Sequence, residues 1–293
     1  MRCSTCAYLR ASHKSARTPT LLRAAFVTSI GTLEPLVTRL VLLLLFYVNP
    51  GTYGPLADPV LERRARELCF GGPSKWRESL VGTLGIASLA VAVDWDRLAV
   101  LWEDRNAIVH LAGVSDARHS SRTGSPAGSI ISPDAHAVRS TIDVIGAARF
   151  ALVACAWVHL EPGKGNDASE MVGPPIWESL RAGRWEQAER LAQAQEMLAV
   201  SPQDKAVAKV HRWLAADMGR GPGAIRAEVE AWDVTGLPPD FEAARHLLLR
   251  QDERALALLR SMLDEGTITQ ADLDTWPLFD RLRAEGRAPG QVR

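Results

Sequence analysis

Cysteine is scarce in this chain, with four among 293 residues, and the four are scattered. Cys3 and Cys6 form a C-x-x-C pair that His13 extends towards a zinc site, whereas Cys69 and Cys155 stand alone. A structural zinc needs four ligands at workable spacing, and no fourth ligand is nearby in the sequence. The scarcity excludes a disulfide framework, and we predict free thiols and no metal site.

Hydrophobic runs of membrane-spanning length are also missing. The most hydrophobic stretches cover residues 40–48, 79–93 and 150–158. Each is shorter than the about 20 residues that a membrane-spanning helix requires. The basic, acid-free start of the chain has no secretory apolar core before residue 20. We therefore predict no membrane segment, apolar helices buried in a bundle, and a cytoplasmic location.

Several catalytic signatures are absent as well. The chain contains no P-loop, no G-x-G-x-x-G, no G-x-S-x-G and no H-E-x-x-H, so nucleotide hydrolysis, acyl transfer and metal hydrolysis lose their usual support. The net charge is zero, but residues 1–160 carry 17 basic against 12 acidic side chains. That excess lies in the N-terminal tail, so it predicts no broad nucleic-acid-binding face. No cofactor is predicted.

Strand signals are nearly absent, while helical periodicity runs through most of the chain. The predicted helices of the first half cover about residues 21–48, 58–69, 76–92, 95–113 and 134–160. Residues 1–20 are predicted to be a disordered basic tail, and residues 114–133, which contain six serines, a mobile loop. The pattern predicts an all-α protein with a bundle of four or five helices over residues 21–160.

The second half has a different organisation. Residues 161–175, EPGKGNDASEMVGPP, have the composition of a linker and mark the predicted domain boundary. Beyond them, LRAGRWEQAERLA (180–192) and LLLRQDERALALL (247–259) match weakly at an offset of 67 residues. Half of that offset is close to the period of about 34 residues of tetratricopeptide helix pairs. We predict a smaller, tetratricopeptide-like helical-repeat domain over residues 176–288, with generic helix pairs as the alternative.

The segment WEDRNAIVHLAG (102–113) carries the candidate chemistry. Asn106 and His110 stand four residues apart on one helical face, close enough to share a hydrogen bond, and the long side chain of Arg105 reaches the same rim. An imidazole takes or gives a proton near neutral pH, and a guanidinium is a permanently charged, forked donor for phosphate. These groups are sufficient to cleave RNA without a metal. The alternative is a solvated surface stripe.

The motif and two other segments together resemble a known protein family. AAFVTSIGTLEPLVTRLVLLLL (24–45) and KWRESLVGTLGIASL (75–89), together with the motif, resemble the HEPN domain (higher eukaryotes and prokaryotes nucleotide-binding), especially its bacterial ribonuclease branch. The resemblance covers about residues 21–160, roughly half the chain. It implies a four- or five-helix bundle that dimerises and so brings two Arg-polar-x3-His motifs to one shared cleft.

The resemblance also implies an activity and its residues. Arg105, Asn106 and His110 would be the catalytic residues of a metal-independent endoribonuclease, with Glu34 as a supporting residue. Such enzymes commonly serve in bacterial defence or toxin–antitoxin systems. We therefore expect an RNA substrate, a homodimer formed through the HEPN bundle, and a protein partner on the C-terminal repeats. The alternative is a non-catalytic scaffold that uses the bundle to dimerise and the repeats to hold a client.

Overall fold

The computed structural model describes the backbone of residues 4–48 and 57–287 and the side chains of residues 18–48 and 58–287. The protein is 78% helix, and the described residues contain no strand. The all-α prediction is therefore confirmed. The chain divides into two compact units, Met1–Glu161 and Pro162–Arg293.

The described part of the first unit is a helical bundle. Its elements are α1 (Ser4–Gly31), α2 (Leu33–Val48), α3 (Ala57–Cys69), α4 (Pro73–Arg77), a π-helical turn (Glu78–Thr83), α5 (Leu89–Ala92), α6 (Trp95–His110), α7 (Ala117–Thr123) and α8 (Ala135–Leu160). Helices α1 and α2 both pack on α8, and α1 also packs on α6. Apolar side chains at helical spacing on α1 and α2 form part of the hydrophobic core. The buried side chains of this set are Phe26, Ile30, Leu33, Val37, Val41 and Leu44.

The break between α1 and α2 lies slightly before the proline that predicts it. Helix α2 begins at Leu33, so Pro35 falls in its first turn. A proline is tolerated there because the first N–H groups of a helix have no intrahelical acceptor. The same placement keeps Glu34 at the exposed beginning of α2.

Three local predictions for this unit differ from the structure. Helix α1 begins at Ser4, inside the segment of residues 1–20 that is predicted to be a disordered tail, and Ala, Leu, Arg and Lys in this segment favour helix. The helix predicted over residues 76–92 is broken into shorter pieces, because Gly82 and Gly85 weaken its middle. The loop predicted over residues 114–133 contains α7, which side-chain hydrogen bonds described below hold in place.

Two helical stretches, Thr18–Val48 and Ala135–Leu160, are long and apolar enough to cross a membrane. Isolated charged side chains interrupt both, so their contiguous charge-free runs are shorter. The core helices of bundles share these properties with membrane-spanning helices. In this unit, α1, α2 and α8 contact one another, and most of the α8 window is buried against the rest of the unit.

The second unit is built from further helices joined by short turns. They are α9 (Gly165–Arg181), α10 (Trp185–Leu198), α11 (Pro202–Arg220), α12 (Arg226–Glu230), α13 (Pro239–Leu248), α14 (Asp252–Asp264), α15 (Gln270–Thr275) and α16 (Asp280–Ala284). The predicted linker over 161–175 is therefore wrong from Gly165 onwards. Ala168, Val172 and Ile176 form a buried stripe on α9, and α9 packs on α10. Tertiary packing of this kind stabilises a helix despite unfavourable local composition.

The weak sequence match at an offset of 67 residues corresponds to a repeated turn. Gly183, between α9 and α10, and Arg250, between α13 and α14, both have left-handed backbone angles, with φ of 68° and 59°. The N–H of Arg184 donates to the carbonyl of Ser179, and the N–H of Gln251 donates to that of His246, each at 2.8 Å. The two helix pairs therefore share one turn geometry.

Candidate functional site

Helix α6 presents the motif and has well-defined ends. The Asp94 carboxylate caps it by accepting a hydrogen bond from the N–H of Arg97 at 3.1 Å, which confirms the predicted start. At the other end, Ala112 and Gly113 turn the chain with φ of 53° and 83°, and the Gly113 N–H donates to the Ala107 carbonyl at 2.9 Å. Apolar side chains on one face of α6 are buried, which fixes the rotation of the helix about its axis.

The four predicted site residues line one cleft, which we call the motif cleft. Glu34 from α2 and Arg105, Asn106 and His110 from α6 share this cavity of about 560 Å³. The remaining walls come from the turn after α3, from the start of α7, and from other side chains of α6. Those lining residues are Phe70, Gly71, Trp102, Glu103, Ala107, Leu111, Asp116, Arg118 and His119.

The Arg105 side chain is held by two contacts. Its Nη1 donates a hydrogen bond to Asn106 Oδ1 at 2.9 Å, and its Cζ lies 5.2 Å from the centroid of the Trp102 ring. The Nε atom is buried and has no hydrogen-bond partner among the described residues. The guanidinium is therefore oriented by its neighbours, and its Nη2 group bonds no described residue and keeps its donors for an anion.

His110 occupies the last position of α6 and is exposed. No hydrogen bond to its imidazole is formed by any residue that the structure describes. The hydrogen bond that its spacing from Asn106 allows is not made, and Asn106 Oδ1 accepts one from Arg105 Nη1. The imidazole therefore faces the cleft and solvent unpaired, and is free to exchange a proton with a bound molecule.

Glu34 lies on the opposite wall of the cleft, close to a buried thiol. Burial raises the pKa of Cys69 to about 11, and the negative charge of Glu34 adds to that rise, while a hydrogen bond with Thr38 opposes it. The Cys69 thiol therefore stays protonated at neutral pH and is a poor nucleophile. The ionic group that α2 contributes to the cleft is Glu34.

A buried polar network behind the cleft is invisible in the sequence. His119, 2% exposed, has its Nε2 2.8 Å from Asp104 Oδ1 and its Nδ1 2.9 Å from Ser115 Oγ. Burial raises the pKa of Asp104, and the contact with His119 opposes that rise. Ser115 is itself buried, so this Ser–His–Asp arrangement has no access to substrate and instead joins α7 to α6.

A second contact strengthens that connection. Arg122 of α7 forms an ion pair with Glu103 of α6. Fifteen residues separate His119 from Asp104, and this spacing matches no catalytic pattern, so the sequence carries no signal for the contact. The structure shows that α7 is fixed beside the motif by side chains on both of its ends.

Among the residues whose side chains the structure describes, no group of three or more His, Cys, Asp or Glu is arranged to hold a metal ion. The side chains of the candidate ligands Cys3, Cys6 and His13 precede the first described side chain, Thr18, and so lie outside the part of the chain whose side chains the structure describes.

Comparisons of this chain with protein-family models, curated proteins and solved structures find no match. The HEPN resemblance therefore stays a prediction.

Proposed function

We propose that this chain is a metal-independent endoribonuclease of the HEPN type, acting in the cytoplasm in a bacterial defence or toxin–antitoxin setting. In this proposal the first unit is a HEPN-like bundle and the second a tetratricopeptide-like repeat region. One observation carries the proposal: an oriented guanidinium, Arg105, and an open imidazole, His110, line the same cleft. Proton transfer and phosphate stabilisation need those two groups together.

The cleavage step follows from the chemistry of these groups. The neutral imidazole of His110 accepts the proton of a ribose 2′-hydroxyl, and the 2′-oxygen then attacks the adjacent phosphorus. The bond from phosphorus to the 5′-oxygen breaks, and that oxygen takes a proton from an acid, for which the partner's His110 is suited in a dimer. Arg105 stabilises the negative charge on the phosphate oxygens. The products are a 2′,3′-cyclic phosphate and a 5′-hydroxyl.

Exposed apolar side chains beside His110 support the dimer. Val109, Leu111 and Val114 are each at least 40% exposed, and Ile130, which forms an isolated bridge with Val114, is 70% exposed. Exposed apolar side chains favour burial against a partner surface. A second copy docking here would place its own motif next to the first, as a shared cleft requires.

The second unit offers a place for a protein partner. Arg212 and Trp232 are among the residues that line a cleft of about 680 Å³ in that unit. Arginine and aromatic side chains are enriched at protein interfaces. A partner bound there would recruit the nuclease or regulate it.

Incubation of purified protein with single-stranded RNA in excess chelator tests the activity. We expect cleavage by the wild type, with 2′,3′-cyclic phosphate ends, and a loss of at least about 100-fold in His110→Ala. The matched control is His136→Ala, since His136 is also an exposed helical histidine but lies outside the motif cleft. Full activity in His110→Ala, or no cleavage by the wild type, would overturn the proposal.

Growth assays separate the nuclease from the scaffold alternative. Expression of the wild type arrests growth if the protein is a toxin, and His110→Ala relieves the arrest. If an Arg105→Ala, His110→Ala double variant keeps the full biological effect, the non-catalytic scaffold is the correct reading.

A further inference from the structure

Phe70 is the most exposed large apolar side chain in the described part of the protein, at 83%. It lies in the turn after α3 and lines the motif cleft. It also lines a second cavity of about 610 Å³, which we call the flanking cleft and which is bounded by Pro73, Lys75, Asp96 and Arg122, among others. The Phe70 ring therefore lies where the two clefts meet, although exposing an aromatic ring to water costs free energy.

The turn that carries Phe70 is held in one conformation. Gly71 and Gly72 have φ of 114° and 85°, and the Gly72 backbone packs directly on the indole of Trp102. The Trp76 Nε1–H donates to the Cys69 carbonyl at 2.7 Å. The ring is therefore presented on a preorganised support, which reduces the entropic cost of binding a ligand.

The surroundings of Phe70 are charged, so it is not part of an apolar protein-binding patch. On the motif-cleft side, Arg105 and Arg118 form no ion pair with any described residue. On the other side, Lys75 forms an ion pair with Glu78 at 2.8 Å, and Arg122 one with Glu103. A protein interface of useful size has a contiguous apolar centre, whereas a lone aromatic ring among polar groups is typical of base stacking on single-stranded nucleic acid.

The two clefts differ in their cations. Carboxylates line both, with Glu34, Glu103 and Asp116 in the motif cleft and Glu78, Asp96 and Glu103 in the flanking cleft. Arg105 and Arg118 form no ion pair with a described residue, whereas Lys75 and Arg122 in the flanking cleft are paired. The scissile phosphate of the proposed function therefore suits the motif cleft. The neighbouring base suits the flanking cleft, where carboxylate oxygens accept hydrogen bonds from the amino groups of bases.

We propose that Phe70 is a stacking platform for the base of the nucleotide next to the scissile phosphate, in a single-stranded RNA that crosses from the motif cleft into the flanking cleft. This inference rests on the proposed nuclease function and names its substrate as single-stranded. Stacking on an aromatic side chain is tolerant of base identity, so Phe70 contributes affinity and register and little sequence preference.

A double-mutant cycle with an uncleavable RNA tests the contact. The probe is a fluorescein-labelled octamer of mixed sequence with 2′-O-methyl groups, and a series in which each position in turn is abasic. Binding is followed by fluorescence anisotropy. Phe70→Ala is expected to weaken binding about 5- to 150-fold, and Phe70→Trp to preserve it. At one abasic position, Phe70→Ala has no further effect, because the partner base is already missing.

The control variant is Phe150→Ala, because Phe150 is an exposed aromatic side chain of α8 that lines neither cleft. Its affinity for the octamer should equal that of the wild type. Unchanged binding in Phe70→Ala, coupling at no abasic position, or no octamer binding by the wild type overturns the inference. So does a weaker dimer in Phe70→Ala with unchanged RNA affinity, since Phe70 would then belong to a protein interface.

Failure of this inference is distinguishable from failure of the nuclease. If the wild type and Phe70→Ala cleave RNA at equal rates and bind the octamer equally, the stacking inference fails and the nuclease stands. If the wild type binds the octamer through Phe70 but cleaves no RNA in chelator, the nuclease fails and the stacking site stands.

Discussion

The Nε2 atom of His119 lies 2.8 Å from Oδ1 of Asp104, and Asp104 is the residue immediately before Arg105 in α6. The ring nitrogen on the other side of His119 meets Ser115 Oγ at 2.9 Å. His119 and Ser115 are almost fully buried. Their contacts therefore hold residues 115–119, which form part of one wall of the motif cleft, against α6.

Removal of His119 should therefore destabilise the first unit. In His119→Ala, Asp104 loses its hydrogen-bond partner while it remains largely buried, and we expect the free energy of unfolding to fall by about 2 to 4 kcal/mol. Urea unfolding followed by circular dichroism measures this change. The exposed His136 provides the control, since His136→Ala should shift stability by less than about 0.5 kcal/mol. Equal stabilities for the two variants would show that the contact between His119 and Asp104 contributes nothing to the free energy of unfolding.

Gly72 is a position at which no side chain fits. A Cβ there would lie 2.5 Å from Trp102 Nε1, and the residue has φ of +85°. We expect Gly72→Ala to lower the free energy of unfolding by about 2 kcal/mol or more, because backbone strain and overpacking act together. It should also displace Trp102, which would alter tryptophan fluorescence and near-ultraviolet circular dichroism.

Gly124→Ala separates the two causes of that loss. Gly124 has a similar φ of +76°, but a Cβ there meets no atom within 4 Å. Gly124→Ala should therefore lower the free energy of unfolding only by the backbone strain of about 1 to 2 kcal/mol, and it should leave the tryptophan spectra unchanged. If both variants lose the same stability, close packing of Trp102 on the turn is not the reason that glycine is needed at position 72.

Arg105→Lys tests whether the shape of the cation matters for cleavage. Lysine keeps the positive charge but lacks the planar, forked guanidinium that bonds Asn106 and lies over Trp102. We expect the single-turnover cleavage rate at saturating RNA to fall about 100-fold or more, while RNA affinity changes less. Wild-type rates in the lysine variant would mean that Arg105 supplies charge alone.

His211 makes the stability of the second unit depend on pH. Complete burial lowers its pKa to about 4, so the folded protein keeps the imidazole neutral, while the unfolded chain takes up a proton below about pH 6.5. Stability is therefore unaffected above pH 6.5 and decreases as the pH falls towards 4. The loss at pH 4.5 should be roughly 2 to 3 kcal/mol.

His211→Gln removes this titration. The difference in unfolding free energy between wild type and variant should be constant from pH 7 to 8 and shift in favour of the variant between pH 6.5 and 4.5. Urea unfolding at matched pH values measures it. A difference that does not vary with pH would show that His211 is protonated equally in the folded and unfolded states.

The local features of the motif helix could be predicted because they depend on neighbours in sequence. Asp94 caps α6, Asn106 and His110 lie on one side of the helix because they are four residues apart, and the long side chain of Arg105 reaches the same rim. The repeated turn at Gly183 and Arg250 was detectable for the same reason. The predicted linker failed where α9 is stabilised by packing against α10, which composition does not report.

The amino-acid sequence alone determined the all-α class, the position and polarity of α6, and a set of residues suited to proton transfer and phosphate binding. Each depends on helical periodicity and on side-chain chemistry, which are local properties. Only the tertiary structure decided that Glu34 faces those residues, that His119 fastens α7 beside them, and that Phe70 stands exposed between two clefts. Those relationships join segments far apart in the chain, and packing of the whole bundle brings them together.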